Sequence, residues 1–274
     1  LAQSVHRNGK YAEAQKNYRY FLTKDSLSVL AMNGLIATEK TAEWKARPTR
    51  YVVRRDATLY KRNTLFFSPS FQGADTDVLY FSSNLSDPKK KQEPNKVTAQ
   101  ANAAIYSIKK DANGKWSKPE NVFSDEFAQG NDLGTPSFSS DGKNMYFTRA
   151  PQKADTKANV ELLYSSRAGG EWTEPKALTV FKDSTITVAH PAISADGQTL
   201  YFVSNAPGGQ GGKDIWKGKL EGTEVKFIEN LGPQVNTPGD ELFPVVRGDT
   251  ALYFSSDGLP GLGGLDMFRA IPKD

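Results

Sequence analysis

Short runs of apolar and aromatic residues, separated by polar or glycine-rich turns, fill most of the chain. Their order is clearest in one stretch. Residues 189–194 and 199–204 have the composition and alternation of strands, and the Asp196-Gly197 pair between them favours a tight turn. A glycine-rich loop follows, and residues 214–219 form a third predicted strand. The stretch therefore predicts a small sheet whose strands succeed one another along the chain.

This unit recurs along the sequence. A Tyr-Phe pair in the second strand marks each copy, beginning at Tyr80, Tyr146, Tyr201 and Tyr253. A fourth strand is predicted at 114–119, 170–175 and 224–228. Four short strands in a unit of about 50 residues are typical of a β-propeller blade. We predict a mainly β chain with four visible four-stranded blades, with five or six blades as alternatives for the intact ring.

The first 48 residues have a helical period instead. Tyr11, Ala14 and Tyr18 recur at helical spacing, and Ser26 is a predicted N-cap. The second helix is expected to bury an apolar stripe made of Val29, Leu30, Met32, Leu35 and Ile36. The predicted domains are therefore a helical segment, 1–48, and the propeller, 49–274.

The last repeat, which ends at Asp274, contains no predicted fourth strand. Propellers usually close by combining strands from both ends of the chain in one blade. Residues 50–60 contain two strand-like runs. We expect them to supply the missing strand, or to belong to a blade whose partner lies beyond Asp274.

The repeats resemble those of TolB-type propellers. The resemblance is carried by Pro191, Ser194, Asp196-Gly197 and the run 211–216, Gly-Gly-Lys-Asp-Ile-Trp. Residues 9–38 are similar to tetratricopeptide repeats. Both together resemble the peptidoglycan-associated outer-membrane lipoproteins of Bacteroidetes, including the PorE type of the type IX secretion system, which join these modules to an OmpA-like domain.

That resemblance implies a periplasmic protein at the outer membrane with partners among envelope or secretion-system proteins. No OmpA-like segment is present in residues 1–274, so peptidoglycan binding is expected only through a domain that this chain does not contain. The resulting hypothesis is a non-catalytic protein-interaction scaffold. The alternative is a propeller enzyme that processes glycans.

Composition limits the chemistry. The chain has no cysteine and two histidines, so neither a thiolate nor a multi-histidine metal site is expected, and no cofactor is predicted. A formal net charge of +4, without a pattern of interleaved basic and aromatic residues, does not indicate a nucleic-acid partner. No apolar run is long enough to predict a membrane-spanning helix.

Carboxylates carry the enzyme alternative. Asp132, Asp240 and Glu241 are placed by the repeat at the entrance of the central funnel, where propeller glycosidases hold paired acids. However, Asp132 and Asp240 occupy equivalent repeat positions, as do Asp214 and Asp266 before the third strand. We therefore predict these four aspartates to be structural, bonding backbone N–H groups within their own blades, and assign no catalytic residue.

Two basic segments are candidates for partner binding. One contains Arg47, Arg50, Arg54 and Arg55, and the other is the lysine run 89–91, that is Lys89, Lys90 and Lys91. Their ordinary interpretation is a solvated surface, since runs of charge are usually exposed. The functional interpretation is a docking surface for an acidic partner.

Overall fold

The computed structural model describes residues 1–47, 52, 64–85, 102–128, 130–151, 159–248 and 250–272. Over these residues the chain is mainly β, with 43% strand and 17% helix. Both the β class and the four-bladed propeller predicted from the repeat are confirmed.

The strands form four successive antiparallel sheets, or blades. Blade I contains β1 (Phe66–Gln72), β2 (Asp75–Ser83), β3 (Ala104–Lys109) and β4 (Glu120–Asn121). Blade II contains β5 (Asn131–Phe138), β6 (Asn144–Pro151), β7 (Glu161–Ala168), β8 (Glu171–Trp172) and β9 (Lys176–Ala177). Blade III contains β10 (Val188–Ile193), β11 (Thr199–Ser204), β12 (Asp214–Glu221) and β13 (Glu224–Asn230). Blade IV contains β14 (Glu241–Arg247), β15 (Ala251–Ser256) and β16 (Asp266–Ala270).

Side chains of the repeat motif form the turn between the first two strands of a blade. In blade III the Ser194 hydroxyl donates to Asp196 Oδ1 at 2.5 Å, and Asp196 accepts the Gln198 N–H at 2.9 Å. Gly197 has φ of 72°, which a glycine adopts without steric cost. These hydrogen bonds hold the pKa of the Asp196 carboxyl below its usual range. The motif therefore encodes a hairpin.

Hydrophobic clusters lie between neighbouring blades and bury Phe147, Phe202 and Phe254, the phenylalanines of three Tyr-Phe pairs. The fourth, Phe81, is buried in a cluster formed by residues of blade I and its loops. The inner strands β1, β5, β10 and β14 contact one another in that order. The inner strands of blades IV and I are not packed together in this way, although both blades line the same central space.

Four helices are described: α1 (Ala2–Arg7), α2 (Tyr11–Leu22), α3 (Val29–Ala46) and the single turn α4 (Asp125–Ala128). The predicted N-cap was wrong: α3 begins after Ser28, whose hydroxyl accepts the Ala31 N–H at 3.4 Å. Ser26 lies two residues too early to reach the first turn of α3.

The buried face of α3 also differs from the predicted apolar stripe. Val29, Met32 and Ile36 are exposed. The face that packs on α2 consists of small residues, Ala31, Gly34, Ala37 and Thr41. The reason is Tyr18: its ring occupies the space where a Cβ at position 34 would lie, 2.3 Å from Tyr18 Cζ. Larger side chains on this face of α3 would hold α3 further away from α2.

The helices dock on the loops of blade IV. Arg7 Nη2 pairs with Asp257 Oδ2 at 2.9 Å, and Asn33 Nδ2 donates to the Gly258 carbonyl at 2.8 Å. Gly263 lies against the backbone of His6. That these helices are of the tetratricopeptide kind stays a prediction.

Blade IV has three strands among the described residues. Residues 50–60, predicted to complete a blade, lie outside the described part of the chain apart from Val52. Among the described helices, none combines the length and the hydropathy that crossing a membrane would need.

Candidate functional site: the central cavity

The four inner strands, together with residues 253–255 of β15 and Met267 of β16, line a central cavity of about 760 Å³. Aromatic rings, prolines and aliphatic side chains form most of its wall, among them Phe71, Phe243 and Val245. Serine and threonine hydroxyls supply the polar part, and no Asp, Glu, Lys or Arg of the described residues lines it. A charged group that entered would lose hydration without meeting an opposite charge. The wall therefore suits an uncharged, largely apolar occupant.

Each inner strand carries a bulge at the same register, and every bulge faces this cavity. The bulged residue precedes a proline in all four blades and has positive φ without being glycine. These residues are Ser68 (φ 50°), Thr135 (53°), His190 (50°) and Phe243 (55°). Such a conformation costs roughly 1–2 kcal/mol per residue and persists only where surrounding contacts impose it.

Hydrogen bonds between neighbouring blades hold the bulges of blades II, III and IV. The Thr135 N–H donates to Ser82 Oγ of blade I at 3.0 Å, and the His190 N–H donates to Thr148 Oγ1 of blade II at 2.9 Å. Ser82 and Thr148 each lie two residues after the tyrosine of the Tyr-Phe pair. A hydroxyl in the second strand of one blade thus holds the bulge of the next.

Blade III departs from this pattern because Val203 stands at the hydroxyl position. The Phe243 N–H donates instead to His190 Nδ1 at 3.3 Å, and the two rings stack with centroids 4.2 Å apart and planes 13° from parallel. His190 therefore replaces the missing hydroxyl as acceptor. Since Nδ1 accepts, the proton of the neutral ring is on Nε2.

His190 is uncharged at neutral pH. Burial lowers the pKa of its imidazole to about 4, and the positive charge of Lys213 contributes to the same shift. His190 thus adds no positive charge to the cavity wall, which leaves the described part of the lining without formal charge.

Asp132 and Asp240 are not among the residues that line the cavity. Asp132 Oδ1 accepts the Ala103 N–H at 2.8 Å, and Asp240 Oδ1 accepts the Lys213 N–H at 2.9 Å. Both donors precede the third strand of the previous blade, so these bonds join two blades. The prediction that such acids bond within their own blades was wrong for this pair, because the start of an inner strand lies beside its neighbour.

Asp214 and Asp266 bond within their own blades. Asp214 is 1% exposed, and its Oδ2 accepts the Gln210 N–H and, at 2.9 Å, Asn230 Nδ2. Asp266 Oδ2 accepts the Gly263 N–H at 3.1 Å. Each carboxylate therefore contacts the backbone of the glycine-rich loop that precedes its strand. A structural role for the four aspartates stays a prediction about their effect on stability.

Glu241 is fully buried, with 0% of its surface exposed. Its carboxylate accepts the Thr237 N–H at 2.8 Å, the Thr237 hydroxyl at 2.7 Å and the Ser256 hydroxyl at 2.6 Å. Burial raises the pKa of this carboxyl, and the hydrogen bonds oppose the rise. In this arrangement Glu241 cannot touch a glycan in the cavity, from whose lining it is also absent.

The basic segments are mostly outside the described residues, which include neither Arg50, Arg54 and Arg55 nor Lys89, Lys90 and Lys91. Arg47 is described. Its side chain is 79% exposed and pairs with Glu43 at 3.0 Å on the last turn of α3. Within the described part of the chain, no group of three or more His, Asp or Glu side chains is placed to bind a metal ion.

Sequence reasoning did not single out the bulges as the feature that shapes the cavity. A signal was available: Ser68-Pro69, Thr135-Pro136, His190-Pro191 and Phe243-Pro244 repeat at one register, with a hydroxyl residue two positions after Tyr80 and Tyr146. What the pattern does not contain is the sign of φ, which depends on contacts between blades.

No protein-family model matches the chain, and no curated protein matches it in sequence.

Several solved structures resemble the fold at low identity. TolB from Acinetobacter baumannii is 18% identical, with 76% of this chain and 55% of that chain covered and a TM-score of 0.32. A GH43 endo-arabinanase from Bacillus licheniformis is 14% identical, with coverages of 75% and 73% and a TM-score of 0.46. A puromycin-hydrolysing peptidase of Mycobacterium tuberculosis is 15% identical, with a TM-score of 0.45; the match covers 76% of this chain but only 30% of the peptidase. These likenesses carry no conclusion about activity.

Proposed function

We propose that this chain is a non-catalytic scaffold that binds protein partners on the periplasmic side of the outer membrane. The observation that supports this most is the central cavity, whose described wall is mostly apolar, carries no formal charge and includes the bulges of all four inner strands. An uncharged peptide segment with apolar side chains fits such a wall, because its burial needs no compensating charge.

The position of the carboxylates adds support. A glycosidase needs two acids that face a common substrate space. Asp132 and Asp240 are engaged by backbone N–H groups of neighbouring blades, and Glu241 is sealed in a hydrogen-bonded pocket. These contacts favour a structural use of the acids over the glycan-processing alternative.

The finer part of the proposal comes from the sequence resemblance. We place the chain in a secretion or envelope complex, with the type IX system as the specific case, and take the docked helices for tetratricopeptide-like. Contact with peptidoglycan would require a domain that residues 1–274 do not contain. The TolB-type repeat motif is what supports a periplasmic location.

Site-specific crosslinking tests the proposal. A photoreactive phenylalanine analogue would replace Phe71, which is 43% exposed and lines the cavity, in cells that express the chain. The matched control is Phe227, which is 77% exposed on β13 and is not part of the lining. We expect an envelope protein to crosslink at position 71 and not at position 227.

A different pair of results would contradict the scaffold proposal. If position 71 yields no protein adduct, and the purified chain hydrolyses envelope glycans in a way that Asp240→Asn or Glu241→Gln abolishes, the scaffold proposal fails and the enzyme alternative replaces it.

A further inference from the structure

One histidine is buried where the helical segment meets blade IV. His6, on α1, is 5% exposed, and its Nδ1 lies 3.2 Å from the Tyr18 hydroxyl of α2. The other ring nitrogen, Nε2, is buried and has no hydrogen-bond partner among the described residues. Because most buried polar atoms in proteins are hydrogen-bonded, an unpartnered imidazole nitrogen at such a junction indicates a role beyond packing.

A small cavity of about 30 Å³ lies beside this ring. Its wall combines side chains of α1, α2 and α3 with residues 257–264 of blade IV and with Asp266 at the start of β16. The space can hold one water molecule and is too small for an organic ligand. It shares no lining residue with the central cavity. The junction is therefore distinct from the proposed site of partner binding.

The charged or titratable groups that face His6 come from α1, α2 and blade IV, while α3 contributes only apolar residues to the cavity wall. These groups are Arg7, Tyr11, Tyr18, Asp257 and Asp266. Arg7 and Asp257 pair with each other, and Asp266 Oδ2 accepts the Gly263 N–H. Lys45 of α3 contacts the ring of Tyr11 but does not line the cavity.

These surroundings accommodate a neutral His6 better than a charged one. Burial lowers the pKa of its imidazole, and the negative charge of Asp266 and the backbone of Gly261 oppose this shift without cancelling it. Below the usual pKa of 6.5, a solvated His6 therefore binds more protons than the docked one. The docked arrangement keeps its full stability above pH 6.5 and loses stability as pH falls below that value.

Hydration of the ring requires the helices to move. Gly263 lies against the backbone of His6, so α1 touches the blade IV loop directly and the imidazole cannot reach water while that contact persists. The Arg7–Asp257 pair beside it is solvent-exposed, with 58% exposure for the arginine side chain, and such pairs contribute little to stability. Proton uptake by His6 therefore competes directly with docking.

We propose that His6 is a proton-operated latch between the helical segment and the propeller. The neutral ring keeps the helices docked on blade IV, and the protonated ring releases them and uncovers residues 257–264. Histidine suits this role because its charge changes close to physiological pH. The latch controls the arrangement of two parts of this chain and goes beyond the proposed binding of partners in the central cavity.

Distance measurements between two spin labels test the latch. The chain has no cysteine, so labels can be attached at introduced cysteines alone. One would replace the exposed Lys16 on α2 and the other the exposed Thr223 in the turn before β13. We expect one narrow distance distribution at pH 7.5 and a second, broad one that grows below pH 6.5. The ratio of undocked to docked chains should rise by up to about tenfold per pH unit, the limit for one proton.

A label pair within the propeller, at the exposed Lys115 and again at Thr223, is the control for general acid unfolding. Its distance distribution should remain narrow at pH 5. If this pair broadens in parallel with the first one, the whole chain unfolds and the latch proposal fails.

Two variants that cannot take up a proton identify the group responsible. His6→Gln and His6→Phe are neutral at every pH used, so at least one of them should keep the Lys16–Thr223 distribution narrow at pH 5. His190→Gln removes the only other histidine and should still show the broad distribution. Broad distributions at pH 5 in both His6 variants, a narrow one in His190→Gln, or an unchanged parent at pH 5 would each overturn the latch.

Discussion

At the scale of single residues, Gly34 on α3 packs directly against the ring of Tyr18 on α2. Tyr18 is 4% exposed, and its hydroxyl lies 3.2 Å from His6 Nδ1, so the ring is held from both ends. A side chain at position 34 cannot be accommodated by a small rotation of Tyr18. The close packing of α3 against α2 therefore requires glycine at position 34.

Gly34→Ala is expected to destabilise the chain by about 2 kcal/mol, because the new Cβ would lie 2.3 Å from Tyr18 Cζ and the helices must separate. Urea unfolding followed by circular dichroism measures the change. Met32→Ala, at a 38% exposed position of the same helix, is the control and should change stability by less than about 0.5 kcal/mol. Equal stability of Gly34→Ala and the parent would contradict the packing.

His190 makes stability depend on pH. Its folded pKa of about 4 lies below the usual 6.5, so between these values the unfolded state binds more protons than the folded state. The free energy of unfolding therefore keeps its full value above about pH 6.5 and decreases as pH falls towards 4, because protonation of His190 then favours the unfolded state. We expect unfolding free energy to fall by about 2–3 kcal/mol from this group between pH 7 and pH 4.5.

His190→Gln tests this, since the glutamine oxygen can still accept a hydrogen bond but does not titrate. Between pH 7 and pH 4.5 the unfolding free energy of the variant should fall less than that of the parent. The difference between the two decreases should be about 2–3 kcal/mol. Parallel pH profiles for parent and variant would mean that the imidazole protonates freely in the folded chain.

At the scale of elements, the inner strand of a blade is shaped by its neighbour as much as by its own sequence. Thr148 is the clearest case: its hydroxyl accepts the His190 N–H and lies 2.7 Å from Thr135 Oγ1. One buried side chain on β6 thus reaches the bulges of blades II and III. A substitution of Thr148 should therefore affect β5 and β10, two strands that line the cavity.

Thr148→Val should cost about 1–3 kcal/mol, because it keeps the shape of the side chain but leaves the buried His190 N–H without an acceptor. Thermal unfolding compared with Thr223→Val, an exposed turn position, isolates the effect from the substitution itself. Valine is natural at the equivalent Val203, where the His190 ring supplies the acceptor. If Thr148→Val is as stable as the control, the hydroxyl does not hold the bulge.

The repeat predicted the strands well because alternation and turn chemistry are local properties. Residues 199–204 were predicted and observed as one strand, and Asp196-Gly197 forms its expected turn. Of the three predicted fourth strands, β13 contains the predicted 224–228 and β8 lies within the predicted 170–175, but β4 covers only Glu120–Asn121, after the predicted 114–119. Outer strands have few neighbours, so the register of their pairing is weakly encoded.

The predictions that were wrong concern features that depend on contacts between elements. The stripe on α3 was assigned by hydrophobicity, yet Gly34 and Ala31 are buried and Met32 is exposed, since the partner surface is the Tyr18 ring. The acids at funnel positions were placed by repeat register alone. Whether Glu241 faces the cavity or the blade interior is decided by Thr237 and Ser256, which no linear pattern connects to it.

At the scale of the whole molecule, the helical segment and blade IV share a glycine-lined interface. A Cβ at Gly263 would lie 2.9 Å from the His6 carbonyl oxygen, so the loop of blade IV touches the backbone of α1 directly. The Arg7–Asp257 pair and the Asn33–Gly258 hydrogen bond flank this contact. We expect the helices and the propeller to unfold together, in one calorimetric transition, although the sequence predicts them as separate domains.

Gly263→Ala tests this coupling. The substitution strains a residue with φ of 110° and pushes the loop away from α1, so the helices should unfold in a separate, earlier transition. Gly114→Ala is the matched control: its φ of 76° is also positive, but nothing lies within 4 Å of the new Cβ. It should lower the melting temperature and keep one transition. Two transitions in the parent would show that the interface does not couple the two parts, and a single transition in Gly263→Ala would show that the coupling does not depend on the Gly263 contact.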